Sequence, residues 1–309
     1  SALWSLDATS WSDVPVNGNG HRALATLESS SGPLKQKAKA DVHFRERVYA
    51  RLFAKSADAW FAQIQQENIA PNKEQLAYLQ DVRNRCETEA RELKAYASTS
   101  KRTQISEPYR KGLLGPPGTG KSECLRWTRR FFEEVLGWTH GVQFQMVAPQ
   151  HTMALLIGGG TVHWFGQVPI NATGMQQRGG KKGEQDVDEL FERTQSLRWL
   201  LIDEIEALAA VVFGILHGNL CKAMSRSPYA KRKDGTQRPF GGVNLSLSGD
   251  WWQLPPVKKI GFYSNPFQSD MDYTEQLAMS FFWRSSNCLL YTSDAADEGL
   301  GVDLGGRRI

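Results

Sequence analysis

The chain has 309 residues, of which 40% are hydrophobic and 23% charged, with a formal net charge of +4. That is material for about two domains with sizeable cores, and it excludes a wholly disordered chain. No stretch approaches the roughly 18 consecutive apolar residues of a membrane span, and the N-terminal residues lack a basic-then-apolar leader pattern, so no membrane partner is expected. Cys86, Cys124, Cys221 and Cys288 form no Cys-x-x-Cys pair or Cys/His cluster, which argues against a disulfide framework or a zinc site and fits a reducing intracellular compartment.

Residues 1–40, rich in Ser, Gly, Asn and Lys without sustained periodicity, read as a flexible extension. Over 41–100 the chain reads as helical. Phe44, Val48, Leu52, Trp60, Phe61 and Ile64 recur at helical spacing, and Pro71-Asn72 opens a second helix with Asn72 as N-cap and Gln75 at the third helical position, as in a capping box. The apolar stripe of that helix runs Leu76, Leu79, Val82, Cys86, Leu93.

From residue 101 to 287 short apolar runs alternate with helical patterns, the mark of an α/β fold with a parallel sheet flanked by helices. Lys111–Leu114 is the first expected strand, followed by a glycine-rich turn and a helix from Lys121 to about Leu136. Val142–Ala148, Leu200–Asp203 and Asn244–Ser248 are the next three. Asn171–Asp188, centred on Arg178, Lys181 and Lys182, reads as a surface excursion, and Lys231–Arg238 as a second basic loop.

Gly115-Pro116-Pro117-Gly118-Thr119-Gly120-Lys121-Ser122 is a complete G-x-x-x-x-G-K-[ST] pattern between a strand and a helix. Such a loop turns backbone N–H groups toward phosphate oxygens. Lys121 adds an ammonium for the β- and γ-phosphates, and Ser122 a hydroxyl for Mg²⁺, so ATP and Mg²⁺ are the expected cofactors. Leu200-Leu201-Ile202-Asp203-Glu204 supplies the acids such a site needs: Asp203 to hold the metal through water, Glu204 to act as general base on the attacking water.

Two further runs narrow the kind of ATPase. Gly249-Asp250-Trp251-Trp252-Gln253-Leu254-Pro255-Pro256-Val257 follows the fourth strand, and Gly158-Gly159-Gly160-Thr161-Val162-His163 follows the helix after the second. With GPPGTGKS and LLIDE, and with the RPFGG run at 238–242, they resemble the PIF/RecD-like branch of superfamily-one DNA helicases over about residues 70–287. The resemblance implies a RecA-like P-loop NTPase domain preceded by a helical extension. It also implies ATP-driven 5′ to 3′ movement on single-stranded DNA, action on DNA junctions, a monomer, a nuclear or mitochondrial location, and roles in DNA repair, recombination and telomere maintenance.

Family roles carry over where residues match. Gln75 looks like the glutamine that reads adenine, the bare cap being the alternative. Gln253 looks like the γ-phosphate sensor and Asp250 like a support of the Mg²⁺ shell. Thr161 and His163 match the motif that contacts the single-stranded DNA backbone, with a structural histidine as the alternative for His163, and Trp164 and Phe165 are either base-stacking or core residues. After the acid pair the family commonly has Ile-Ser-Met; here it is Ile205-Glu206-Ala207, a third carboxylate of undefined effect. GPPGTGKS alone is shared with AAA+ ATPases, and an inactive transposon-derived remnant is a further alternative.

Residues 288–309 stand apart. CLLYTSDAADE at 288–298 and VDLGGRRI at 302–309 read as in-frame translations of two blocks of a sequencing-library adapter. These 22 residues are therefore expected to be an artefact that docks poorly and does not complete the domain, with a second RecA-like domain and its arginine expected from the source locus in their place. Their net charge of −2, taken from +4, leaves +6 on residues 1–287.

Overall fold

The computed structural model describes residues 56–99, 106–170, 189–225, 227–256, 259–261, 264, 271–285 and 287–290. The extension expected at 1–40, the apolar positions Phe44, Val48 and Leu52 and the excursion expected at 171–188 lie outside the described residues.

Among the described residues, two helices precede the sheet. Helix α1 (Ala57–Ile64) buries Trp60, Phe61 and Ile64, the expected face. Helix α2 (Lys73–Thr99) starts at the expected capping box. Asn72 Oδ1 accepts the N–H groups of Glu74 at 3.1 Å and Gln75 at 2.9 Å, while Gln75 Oε1 accepts the Asn72 N–H at 2.8 Å. Amides left unpaired by the first helical turn are thereby satisfied. Tyr78, Leu79, Val82 and Cys86 form its buried stripe.

The sheet has strands β1 (Arg110–Leu114), β2 (Phe144–Ala148), β3 (Gly160–Thr161), β4 (Trp199–Ile202), β5 (Asn244–Gly249) and β6 (Asn287–Leu290), in the order β3-β2-β4-β5-β1-β6 with every pairing parallel. β2 and β4 read FQMVA and WLLI and are buried throughout, as strands covered on both faces must be. One face packs against α1, α2 and helix α3 (Lys121–Arg130), whose π-helical continuation Phe131–Val135 adds Phe131 and Phe132 to that core. The other carries helices α4 (Ala210–Ala223) and α5 (Tyr273–Ser285), with Phe213, Phe240 and Phe282 in its core.

β5 alternates apolar and polar residues, yet all six are buried. Each polar side chain has a partner: Ser246 Oγ meets Tyr78 Oη at 2.8 Å, Ser248 Oγ donates to Asp203 Oδ1 at 2.6 Å, and Asn244 enters an ionic cluster at the N-terminal ends of the strands. In that cluster Glu89 Oε1 accepts from Arg85 Nη2 at 2.9 Å, Arg198 Nη2 at 2.6 Å and Asn244 Nδ2 at 2.8 Å. Asn244 Oδ1 accepts from Arg85 Nε at 2.9 Å and from the Tyr109 N–H at 2.8 Å.

Two expectations change. Of the second basic loop, Lys231 and Lys233 are exposed around a turn closed by the Arg232 N–H on the Thr236 carbonyl, but Arg238 turns inward, where Arg238 Nη1 donates to the Ser106 carbonyl. The expectation that residues 288–309 dock poorly fails for 288–290: Cys288, Leu289 and Leu290 continue β6 in register with Gly112, Leu113 and Leu114. The physical reason is local, since Cys-Leu-Leu is apolar enough to extend a strand along the free edge of β1. Residues 291–309 lie outside the described residues.

Candidate active site

The C-terminal tips of β1, β4 and β5 carry the candidate residues. Gly115–Gly120 loops from β1 to α3, anchored where the Gly115 N–H donates to the Gly249 carbonyl at 3.2 Å. Gly118 and Gly120 take φ of +82° and +78°, values that side chains with a Cβ resist. Thr119 Oγ1 donates to the Pro116 carbonyl at 2.9 Å, and Lys121 Nζ folds over the loop onto the carbonyls of Gly115 at 2.7 Å and Pro116 at 2.9 Å. Pro117 and Gly118 are exposed at the crest, and Ser122 is exposed in the first turn of α3. Gln75 reaches this loop from α2: its Nε2 donates to the Thr119 carbonyl at 3.4 Å while its Oε1 keeps the cap.

Asp203 and Glu204 follow β4. Asp203 is buried and accepts from Ser248 Oγ and, at 3.0 Å, from the Glu204 N–H. Burial lifts its carboxyl above the ordinary range; the neighbouring Glu204 charge adds to this, while the Ser248 hydrogen bond and Lys121 oppose it. Glu204 is half-buried with φ +55° and ψ +48°, a left-handed backbone rare for a residue with a long side chain. The turn Ile205–Ala207 then buries Glu206, whose carboxyl is pushed up to about 8 by burial first and by its contact with Glu204 next.

Asp250 opens the turn after β5. Asp250 is fully buried; its Oδ1 accepts the Trp252 N–H at 2.9 Å and its Oδ2 accepts Gln253 Nε2 at 3.4 Å. Both oxygens accept within their own turn, so Asp250 organises that turn. Gln253 is exposed beside it, as are Trp252 and Leu254.

The Thr161–His163 run sits at the tip of β3, at the sheet edge. Thr161 Oγ1 accepts the Trp164 N–H at 3.1 Å and caps the one-turn helix Val162–Phe165. His163 is half-buried, and burial lowers its ring pKa below the ordinary value. Trp164 is exposed, but its ring lies under the Arg193 guanidinium, 4.7 Å from the centroid, and against Gly160, where an added Cβ would lie 2.7 Å from the ring. Phe165 is core. Phe165 therefore offers no face to a base, whereas Trp164 stays 55% exposed beside Arg193. Sequence reasoning missed Ser248, Arg193 and the use made of Glu206; only Glu206 left a signal, as a third acid out of pattern.

A strand, a glycine-rich loop and a helix, with an acid-tipped strand one place removed in a parallel sheet, define a P-loop NTPase of the RecA-like class. The match to known sequences narrows this: residues 106–292 match the PIF1-like helicase family, and the chain belongs to that family. It is 30% identical over 155 residues to the ATP-dependent DNA helicase RRM3 of Saccharomyces cerevisiae, covering 47% of this chain and 18% of that protein. It is 31% identical over 153 residues to the ATP-dependent DNA helicase PIF1 of Homo sapiens, covering 48% of this chain and 20% of that protein. The crystal structure of Pif1 helicase from Candida albicans superposes with a TM-score of 0.47 at 21% identity, over 73% of this chain and 40% of that one. The matched part thus spans about a fifth of these curated relatives' own length.

Proposed function

We propose that this chain carries the ATP-hydrolysing core of a DNA helicase. The observation that carries the reading is the convergence of Lys121, Asp203 and Glu204 on neighbouring strand tips, with Ser248 of the intervening strand bonded to Asp203. The loop amides and Lys121 bind and orient the triphosphate, and Glu204 takes the proton of the attacking water. Ser122 and Asp203 fit Mg²⁺: one hydroxyl and one carboxylate, completed by phosphate oxygens and water, is the sparse donor set that this ion uses. When bound, Mg²⁺ neutralises charge on the phosphates.

Family membership favours this over the AAA+ alternative. The same reading takes single-stranded DNA and DNA junctions as partners and 5′ to 3′ as the direction, with Thr161 and His163 as the backbone contacts, Gln253 as the γ-phosphate sensor, a monomer as the working unit and the nucleus or mitochondrion as its place. The matched relatives are named ATP-dependent DNA helicases, which supports the substrate pair of ATP and DNA.

Titration calorimetry and a turnover assay test the core claim. Lys121→Ala is expected to lose ATP binding, and Glu204→Gln to keep it while turnover falls by about 10²–10⁴-fold. Unchanged ATP binding by Lys121→Ala sinks the proposal, and normal turnover by Glu204→Gln removes Glu204 as the base.

A further inference from the structure

Glu206 is the acid for which the nucleotide site has no stated use. It is 1% exposed, on the turn that leaves Glu204. Its Oε2 accepts the Asp250 N–H at 3.0 Å, across from β4 to β5. Its carboxyl also lies in hydrogen-bonding contact with that of Glu204. Gly249 makes the approach possible, because Glu206 Oε2 and Ile205 Cγ1 occupy the space a Cβ there would need. From Asp250 the contacts run on to Gln253 through Asp250 Oδ2, and the Gly249 carbonyl holds the first amide of the glycine-rich loop.

Glu204, moreover, sits in a left-handed backbone, a conformation that persists only where surrounding contacts over-determine it. Ser248 on Asp203 ties the two strand tips on one side of Glu204, and Glu206 on Asp250 ties them on the other. We propose that Glu206 is a positioning residue that fixes Glu204 to the Asp250–Gln253 turn, so that the hydrolytic acid and the turn bearing Gln253 keep one fixed relation. It touches no substrate; it acts through Glu204 and Asp250. This rests on the ATPase reading for its effect on turnover, but its geometric half does not.

The test uses the 309-residue chain with Glu206→Ala and Glu206→Gln, glutamine keeping an acceptor for the Asp250 amide and an N–H for Glu204. Hydrogen exchange at Asp250 is read first. Alanine is expected to speed it about ten-fold and glutamine to hold it within about three-fold of the unaltered chain. Single-turnover ATP hydrolysis is read second: alanine is expected to slow the step about ten-fold at saturating ATP with KM within about three-fold, and glutamine to restore it. If Glu206→Ala does not fold, Glu206→Asp, one methylene short, replaces it. Unchanged Asp250 exchange in the alanine variant overturns the proposal, as does a glutamine variant as deprotected as alanine. Failure of the unaltered chain to bind ATP would count against the ATPase reading alone, and exchange at Asp250 would still decide the role of Glu206.

Discussion

The two ends of the sheet bury carboxylates in opposite ways. At the N-terminal ends of the strands Glu89 is fully buried but receives two arginines and an amide, and Arg198 also lies over the Tyr229 ring, 3.3 Å from its centroid. At the C-terminal ends Asp203, Glu204, Glu206 and Asp250 crowd together, and none of them forms a salt bridge among the described residues; a hydroxyl, backbone N–H groups and the Gln253 side-chain amide are what they receive. Buried charge that is neutralised locks elements together, whereas buried charge that is only hydrogen-bonded stays poised for a cation or a proton. One sheet therefore has an end built to hold and an end built to react.

The sharpest break of that contrast is Glu89→Ala. Leaving Arg85 and Arg198 buried without their carboxylate is expected to cost about 3–5 kcal/mol by urea denaturation. Asp203→Asn at the opposite end is expected to cost less than about 1 kcal/mol, because it removes a charge that burial already disfavours. Equal losses would show that the ends do not differ in kind.

Acidity separates the ends next. On the opposite flank of the N-terminal end, His217 Nδ1 accepts the Phe240 N–H at 3.0 Å, and burial lowers its pKa from 6.5 to about 3. The unfolded chain takes up a proton below pH 6.5 that the folded chain refuses, so stability falls as pH drops from 6.5 toward 3, at up to about 1.4 kcal/mol per pH unit. Glu206 has the opposite sign: the folded chain keeps to about pH 8 a proton that the unfolded chain releases near 4.5, so stability falls as pH rises through that window. Denaturation midpoints across pH are expected to lose the upper part of the acid limb, between pH 6.5 and the carboxylate range, in His217→Gln and keep the alkaline limb. Loss of both limbs in that variant would refute the assignment.

The smallest effect sharpens the contrast further. Asparagine tolerates the left-handed backbone better than glutamate, so Glu204→Asn is expected to raise stability by less than about 1 kcal/mol while abolishing turnover. A measurable destabilisation would mean that the acid serves the fold as well as the reaction.

Legibility in the sequence follows the same division. The reactive end is written in contiguous runs, GPPGTGKS, LLIDE and GDWWQ, because a loop that cradles phosphate and a strand that ends in acids are local designs. The capping box of Asn72 and Gln75 is likewise local and is found as read. The holding end is invisible, since Arg85 and Glu89 look like an ordinary helical pair until Arg198 and Asn244 arrive from 109 and 155 residues away. The two-residue β3 is too short for any periodicity, and β6 lies in a stretch whose codons spoke against structure. The turn that Asp250 organises is unreadable for a related reason: a motif names the residue but not which way its oxygens turn.

Gln75 has a consequence for how this gene can drift. Its oxygen closes the start of α2 and its nitrogen holds the Thr119 carbonyl, so the position demands an acceptor and a donor at the same reach. A single base change in a glutamine codon yields Glu, Lys, Arg, His, Leu, Pro or a stop. Glutamate keeps the acceptor and sets a carboxylate against a carbonyl; lysine and arginine keep only donors; leucine and proline keep neither, and histidine is shorter with its nitrogens differently placed. No one-step neighbour supplies both atoms at that distance, so every one-step replacement gives up at least one of the two hydrogen bonds.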